Sequence, residues 1–274
     1  MPGTRVATRN ARFQLLETLL HNRTKRHRAG EFLVQGVRPI SLAVEFGWEI
    51  RALVYDDTRS LSSWARRMLA AAPHAERIWM PADLLAQLSE KSEGPAELLA
   101  VVAMRPDDLR RIPVDGGFLG VVFDRPTLPG NIGTIVRAAD AFGAQGVITT
   151  GHAADAYDPK SVRASTGSLF AVPVVRAPSS REVLAWVDRW RAAGVPVRIV
   201  ATDERGDAEL SEFDLRQPVL LLIGNETTGL SQQWREAADA TVSIPMTGAA
   251  SSLNAASAAS IVLYETHRQR RGAR

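Results

Sequence analysis

The 274-residue sequence predicts two α/β domains, the second built on a mostly parallel sheet. Three observations carry this reading. From Leu119 onward, short apolar runs alternate with stretches of helical period, the order that winds a parallel sheet. The run Val219-Leu-Leu-Leu-Ile223 is apolar without a break, as a strand covered on both faces must be. Ahead of that alternation, Arg105–Gly117 is polar, carries Pro106 and Pro113 among paired charges, and reads as a linker over 105–117 from a shorter α/β stretch. A chain of this length can bury one large core or two modest ones.

Taken in order, Phe13, Leu16, Leu19 and Leu20 predict a short amphipathic helix within a basic N-terminal arm, residues 1–29. The first domain then spans 30–104. It reads as a strand after Gly30, a helix from Ile40 to Phe46 stopped by Gly47, and a strand from Ile50 to Tyr55. A helix from Leu61 to Ala72, a short strand from Arg77 to Met80, a helix from Pro81 to Gln87 and a strand from Leu98 to Met104 after Gly94-Pro95 complete it. The second domain, 118–274, opens with the strand Leu119–Phe123, broken by Pro126, Pro129 and Gly130. A helix follows whose buried face is Ile132, Ile135, Val136, Ala139 and Phe142, ended by Gly143. Next come a strand Gly146–Thr149, a helix from Tyr157 to Ser168 capped by Asp158, a strand Val172–Val175, a helix Ser180–Ala193 and a strand Val197–Thr202. After Val219–Ile223, the β-branched run Thr241–Ile244 is a strand that Pro245 stops, and a helix runs from Leu253 to Tyr264. Ser251 or Ser252 is its expected cap, with Asn254 inside the first turn.

The net charge of +3 hides an asymmetry: residues 1–30 hold seven Lys or Arg against Glu17 alone, and 268–274 hold four Arg and no acid. Both ends are therefore basic and the middle is acidic. Arg23, Lys25, Arg26 and Arg28 form the densest cluster, and arginine far outnumbers lysine, which suits bidentate phosphate contacts. Cysteine is absent and no apolar segment follows the first basic residues, so the expectation is a cytoplasmic protein without disulfide, signal peptide or membrane span. Five scattered histidines without cysteine give no metal-ligand spacing, and His152 and His267 read as surface residues.

Three stretches carry chemistry. In Val219–Leu230 the buried strand runs into Gly224-Asn-Glu226 and Gly229, a ligand loop at a strand end that lacks the Lys-Ser/Thr of a phosphate loop. In Ile244–Glu265 the strand breaks into Gly248-Ala-Ala-Ser-Ser252, whose small side chains let a flat ligand approach the backbone. In Phe118–Gly146, Asn131 and Arg137 frame the start of a helix. Each stretch alone is compatible with an ordinary capped helix or turn. Together, Asn131-Ile-Gly-Thr-Ile-Val-Arg137-Ala-Ala-Asp-Ala-Phe-Gly143, Ile223-Gly-Asn-Glu226 with Gly229-Leu230, and Ile244-Pro-Met246 with Ser251-Ser-Leu-Asn254 resemble the SPOUT superfamily, and within it the TrmH-like RNA ribose 2′-O-methyltransferases.

The resemblance implies a C-terminal SPOUT domain with a parallel sheet and a deep trefoil knot, although physical rules alone argue against a threaded chain. It implies a small N-terminal α/β ribosomal-protein-like domain that contacts RNA, and a homodimer packed through the helix from Leu253. S-adenosylmethionine is the implied cofactor, with Thr202, Gly224, Ile244, Met246 and Leu253 lining its pocket. Arg137 is the central catalytic candidate, with Asn131, Glu226, Ser252 and Asn254 as a polar cage around it and Glu226 orienting it by an ion pair. A guanidinium is a poor base, so stabilising a developing alkoxide or binding the neighbouring phosphate is preferred to proton abstraction. Arg23, Lys25, Arg26, Arg28 and Arg163 are the RNA-binding candidates. The N-terminal half is similar to the avilamycin-resistance type, which modifies a uridine ribose of large-subunit ribosomal RNA. A transfer-RNA methyltransferase, a catalytically silent RNA-binding protein and a small-molecule methyltransferase are the competing classes. The intact polar set argues against the silent protein, and the basic arm and separate first domain against the small-molecule enzyme.

Overall fold

The computed structural model describes residues 3–89 and 96–272. The expected Gly94-Pro95 break and Arg274 lie outside the described residues. The chain divides into two units, Met1–Arg105 with Tyr157–Ala171, and Pro106–Ala156 with Val172–Arg274.

The first unit contains β1 (Thr4–Arg5), α1 (Ala11–His21), α2 (Arg23–Ala29), β2 (Glu31–Gln35), α3 (Val37–Glu45), β3 (Ile50–Tyr55), α4 (Ser63–Ala71), β4 (Glu76–Trp79), α5 (Ala82–Leu88) and β5 (Leu98–Ala103). Its five-stranded sheet has the order β1-β4-β3-β5-β2. β5 runs antiparallel to both β2 and β3, while β4 is parallel to β1 and β3. Residues 1–29 are not an appended arm. β1 extends this sheet, and α1 starts at Asn10, whose side-chain oxygen accepts the amides of Arg12 and Phe13. Phe13, Leu16 and Leu19 then fall on one face and are buried with Val6, Ile78, Met80 and Leu84. Each such side chain contributes about 1.5–3 kcal/mol of burial, while the charged residues beside it, Arg9, Arg12 and Glu17, stay at the surface. Asn22 caps α2 through the amide of Lys25, and Gly30, at φ 66°, ends it.

The second unit opens with β6 (Leu119–Asp124), α6 (Pro129–Ala141) and β7 (Gly146–Thr150). The following α7 (Pro159–Ser165) and α8 (Ser168–Ala171) group with the first unit instead of continuing a 118–274 domain. The reason is aromatic. Tyr157 lies 4.7 Å from Phe32, Trp48 meets Phe170 edge-on at 5.2 Å, and the Trp48 indole donates to the Phe170 carbonyl at 3.0 Å. Asp158 caps α7 as expected, through the amide of Lys160.

The second unit resumes with β8 (Val174–Ala177), α9 (Ser180–Ala192), β9 (Arg198–Thr202), β10 (Ala208–Glu209), β11 (Val219–Ile223), α10 (Gln232–Ala237), β12 (Ala240–Ser243) and α11 (Ala255–Arg271). The seven strands take the order β10-β12-β9-β11-β6-β7-β8, and every pairing is parallel. β11, at the centre, is fully buried, and Phe118, Trp186, Leu222 and Trp234 belong to the core cluster on this sheet. The register sets Ile223 beside Phe123 and Leu222 beside Ala201, so the carboxyl ends of β9, β11 and β6 finish side by side. That edge is where open parallel sheets take their ligands.

α11 differs from its expectation at both ends. Asn254 is the cap itself, not a first-turn residue: its side-chain oxygen accepts the amides of Ala256 and Ser257. The helix also runs seven residues past Tyr264, through the expected basic tail, to Arg271. Arg270 explains the extension. Its guanidinium donates to the carbonyls of Gly117 (2.6 Å), Phe118 (3.0 Å), Gln217 (2.8 Å) and Leu215 (3.2 Å), tying the helix end to the entrances of β6 and β11. Among the described residues, no helix is long and apolar enough to cross a membrane.

Candidate active site

A cleft of about 210 Å³ opens at the carboxyl edge of the second sheet. Thr202, Gly224, Ile244, Met246 and Leu253, distant in sequence, all line it. Gly224 is required by close backbone approach: a Cβ there would lie 2.7 Å from the Gly229 carbonyl carbon and the Leu230 amide nitrogen. The loop closes on itself through reciprocal Asn225–Gly229 backbone bonds of 3.0 and 3.1 Å, with Gly229 at φ 61°. On the opposite wall, residues 245–253 are exposed and make no backbone hydrogen bond among the described residues. Their amides and carbonyls are therefore available to a ligand. Met246 and Leu253, each 37% exposed, offer apolar surface at the mouth.

Beside the cleft runs a relay of side-chain amides whose orientation is set by the α11 cap. The Asn254 oxygen is committed to two helix amides, so its Nδ2 must point away, and it donates to Asn131 Oδ1 at 3.3 Å. Asn131 must then present its own Nδ2 to Glu226, which accepts it on Oε1 at 2.9 Å. The other Glu226 oxygen accepts the Thr127 amide at 3.2 Å and hydroxyl at 2.9 Å. Every group facing Glu226 is a donor, so the position demands a carboxylate that accepts on both oxygens. Burial, the largest single influence on this group, pushes its pKa up. The donations from Asn131, its own amide and Thr127 together outweigh that and hold it below the ordinary value.

The structure joins Asn131, Glu226 and Asn254 but not Arg137. Arg137 sits two steps of three beyond Asn131 on the exposed ridge of α6, about 9 Å along the axis. It makes no hydrogen bond or ion pair among the described residues and does not line the cleft. The expected Glu226–Arg137 ion pair is not formed, because Thr127 and Asn131 already occupy the Glu226 carboxylate. Ser252 lines the cleft as an exposed hydroxyl.

Of the RNA-binding candidates, Arg23, Lys25, Arg28 and Arg163 are exposed on the first unit. Arg26 is not: it is 1% exposed, donates to the Leu19 carbonyl at 2.6 Å and lies 3.6 Å from the Asp158 carboxylate. It is a core residue that joins α1, α2 and α7. Sequence reasoning missed Asp124, Arg125, Thr127 and Asn225, which frame the loops of the site. The available signal was an acid at the end of a fully apolar strand, where a buried carboxylate must be hydrogen-bonded. Among the described residues, no cluster of His, Asp or Glu is able to hold a metal ion.

Comparison with known proteins agrees with both units. Residues 119–264 match the SpoU rRNA methylase family and residues 10–100 the SpoU L30e-like domain. The 23S rRNA (uridine(2479)-2′-O)-methyltransferase of Streptomyces viridochromogenes is 63% identical over 97% of this chain and 92% of its own length. The crystal structure of the SpoU methyltransferase AviRb from Streptomyces viridochromogenes, in complex with the cofactor AdoMet, superposes with a TM-score of 0.92 over 97% of this chain and 100% of that one, at 63% identity. An AdoMet-bound rRNA methyltransferase from Sinorhizobium meliloti matches with a TM-score of 0.83 at 30% identity, covering 97% of each chain.

Proposed function

Because this chain belongs to the SpoU rRNA methylase family, we propose that it methylates a ribose 2′-hydroxyl, that of a uridine in large-subunit ribosomal RNA, using S-adenosylmethionine. The observation that carries this reading is the cleft, where five residues from three separate loops meet around unbonded backbone, with the amide relay at its side. A relative 63% identical over nearly the whole chain, named for that reaction, supports the choice of substrate.

The residues fit the cofactor. Thr202, Gly224, Ile244, Met246 and Leu253 would hold it, with the free backbone of 245–253 for its polar edges and the two exposed apolar side chains for adenine. When bound, the cofactor supplies an electrophilic methyl on a sulfonium. The chain's own task is to position a poor nucleophile and ease loss of its proton. Asn131, locked by Asn254 and Glu226, presents a fixed amide at the start of α6. Arg137 is unpaired and exposed outside the cleft, and in this reading it binds a phosphate of the RNA or stabilises the developing alkoxide. The Ser252 hydroxyl is available to the ribose.

The active species in this reading is a cytoplasmic homodimer joined through α11 and α6. Ile261 and Tyr264 stay exposed on α11, and Tyr264 packs against Phe142 at the end of α6 at 5.8 Å. The threaded trefoil of the family belongs to the same reading, supported by the way the 224–229 and 244–254 segments border one cleft. Methylation at a drug-binding nucleotide would confer antibiotic resistance.

The test is transfer of labelled methyl from S-adenosylmethionine to unmodified large-subunit rRNA, small-subunit rRNA and bulk tRNA, with mapping of alkali-resistant linkages. Labelling of one large-subunit ribose is expected. Labelling of tRNA alone would replace the substrate, and no labelling of any RNA would remove the activity. Arg137→Ala should abolish transfer while cofactor affinity stays within about twofold; an active variant would exclude Arg137 from the chemistry.

A further inference from the structure

We infer that Asp124 and Arg125 are positioning residues that staple the cofactor loop to the start of α6, so that cofactor affinity and the alignment of Asn131 are set by side chains outside the cleft. This rests on the function proposed above and adds a part to its machinery.

Asp124 ends β6 and is 3% exposed. Its carboxylate accepts the Thr150 hydroxyl (2.9 Å), the Ser231 amide (2.8 Å) and Arg125 Nε (3.0 Å), gathering β7, the far end of the cofactor loop and its own neighbour around one charge. Arg125 adopts φ +50°, the left-handed region that a non-glycine residue rarely enters. In that conformation its amide donates to the Thr150 carbonyl at 3.0 Å, and its carbonyl accepts Asn225 Nδ2 at 2.6 Å. Its guanidinium donates through Nη2 to the Gly229 carbonyl at 2.9 Å. Gly151 leaves room for the stem: a Cβ there would lie 2.9 Å from Arg125 Cγ.

The consequences pass in one direction. Asn225, held by the Arg125 carbonyl, turns its side-chain oxygen to the amides of Thr227 and Thr228 at 2.8 and 3.0 Å. That turn carries Glu226 to Thr127 and Asn131. Ser231 and Gly229, at the other end of the loop, are held by the Asp124 carboxylate and the Arg125 guanidinium. The strained backbone is a local cost that persists where surrounding bonds over-determine it; here two of them tie Arg125 to Thr150 and Asp124, and two, from Asn225 and to Gly229, reach the loop that lines the cleft.

The experiment compares Arg125→Ala, Arg125→Lys and Arg125→Gly with the wild type by calorimetric titration of S-adenosylmethionine and by steady-state methyl transfer to the RNA. Arg125→Ala should raise the cofactor Kd on the order of tenfold, as expected for loss of a charge-assisted bond, and lower kcat, while KM for RNA stays within about twofold. Arg125→Lys should not rescue, since one ammonium cannot bridge Asp124 and the Gly229 carbonyl as the forked guanidinium does. Arg125→Gly relieves the φ strain and keeps the carbonyl bond to Asn225, so it should fold and lie between the wild type and Arg125→Ala in cofactor affinity. If Arg125→Gly binds and turns over as the wild type does, or if Arg125→Lys restores both, the staple has no role and the inference fails. A wild-type protein that does not bind S-adenosylmethionine would instead overturn the proposed function.

Discussion

Exchanging the carboxylate and the amide of the relay should separate hydrogen-bond complementarity from chemistry. In Glu226→Gln the new side chain has one acceptor and one donor in place of two acceptors. If its oxygen faces Asn131, its NH2 meets the Thr127 amide donor; if it is flipped, its NH2 meets the Asn131 NH2. Asn131 cannot turn to relieve this, because its oxygen is engaged by Asn254, whose own oxygen caps α11. One charge-assisted bond is lost and two donors are opposed, a cost of about 2–4 kcal/mol, or roughly a 30- to 1,000-fold fall in kcat/KM if the alignment carries catalysis. Asn131→Asp alone places a second carboxylate beside Glu226 and should fail comparably. The double variant Asn131→Asp with Glu226→Gln restores the pattern: the glutamine NH2 donates to the aspartate, its oxygen accepts Thr127, and the aspartate's other oxygen accepts Asn254. Thermal melting and cofactor titration of the four proteins should give a coupling energy of about 1–3 kcal/mol in favour of the double variant. Additive losses would refute the relay. The same carboxylate predicts a pH edge. Its folded pKa lies below the ordinary glutamate value, so its contribution is complete above about pH 4.3 and is lost as pH falls through the lower folded value. A melting-temperature advantage of the wild type over Glu226→Gln that shrinks as pH falls from 7 to 5 would contradict this.

Two further outcomes follow from the first unit. Phe13→Ala removes a wholly buried ring shared by α1 and the sheet and should cost about 3–5 kcal/mol in that unit, seen as an earlier denaturant transition; an unchanged midpoint would return residues 1–29 to the status of a tail. Replacing Arg23, Lys25 and Arg28 together by Gln should lower the slope of log affinity for RNA against log salt by up to about 2, near 0.7 per lost phosphate contact on single strands. An unchanged slope would remove α2 from the RNA surface.

How far the sequence could be read depended on which force governed each segment. The strand–helix alternation of the second unit was legible because a fully buried parallel strand must be apolar along its whole length, as Val219–Ile223 is. The five residues that the family resemblance assigned to the cofactor all line one cleft; the three motifs located them, where composition alone showed only strand ends and small-residue loops. What was misread involves partners remote in sequence. Tyr157 looks like part of an ordinary helix until Phe32 is beside it, and Phe170, between the expected helix and strand, shows no role until Trp48 meets it. Arg26 looks like its exposed neighbours Lys25 and Arg28 until the Leu19 carbonyl and Asp158 are seen to enclose it. The Glu226–Arg137 ion pair was expected within the polar cage that the resemblance implies, whereas Glu226 is filled by uncharged donors that charge counting does not register. Asn254 was assigned inside the helix because Ser251 and Ser252 are equally good caps; only the path of the loop decides which residue arrives at the first free amides.

That last detail explains why the cap and the Asn131–Glu226 relay are one structure. A cap substitution costs about 1 kcal/mol of helix stability, but here the capping oxygen also fixes which way the Asn254 amide points, and through it the orientation of Asn131. α11 is anchored at its other end by Arg270 on four carbonyls, about 24 Å away along sixteen residues of helix. The helix therefore cannot turn or slide to accommodate a misplaced Asn254. Between the end of β12 and this anchored cap, residues 245–253 have no backbone bonds of their own among the described residues. A ligand that binds their free groups orders the loop between two fixed points, without having to move the relay. The exposed segment 245–253 is thus the surface open to the cofactor, while Asn131 and Asn254 rest on two helices packed against each other, α6 and α11, the kind of rigid support that a positioned transfer needs.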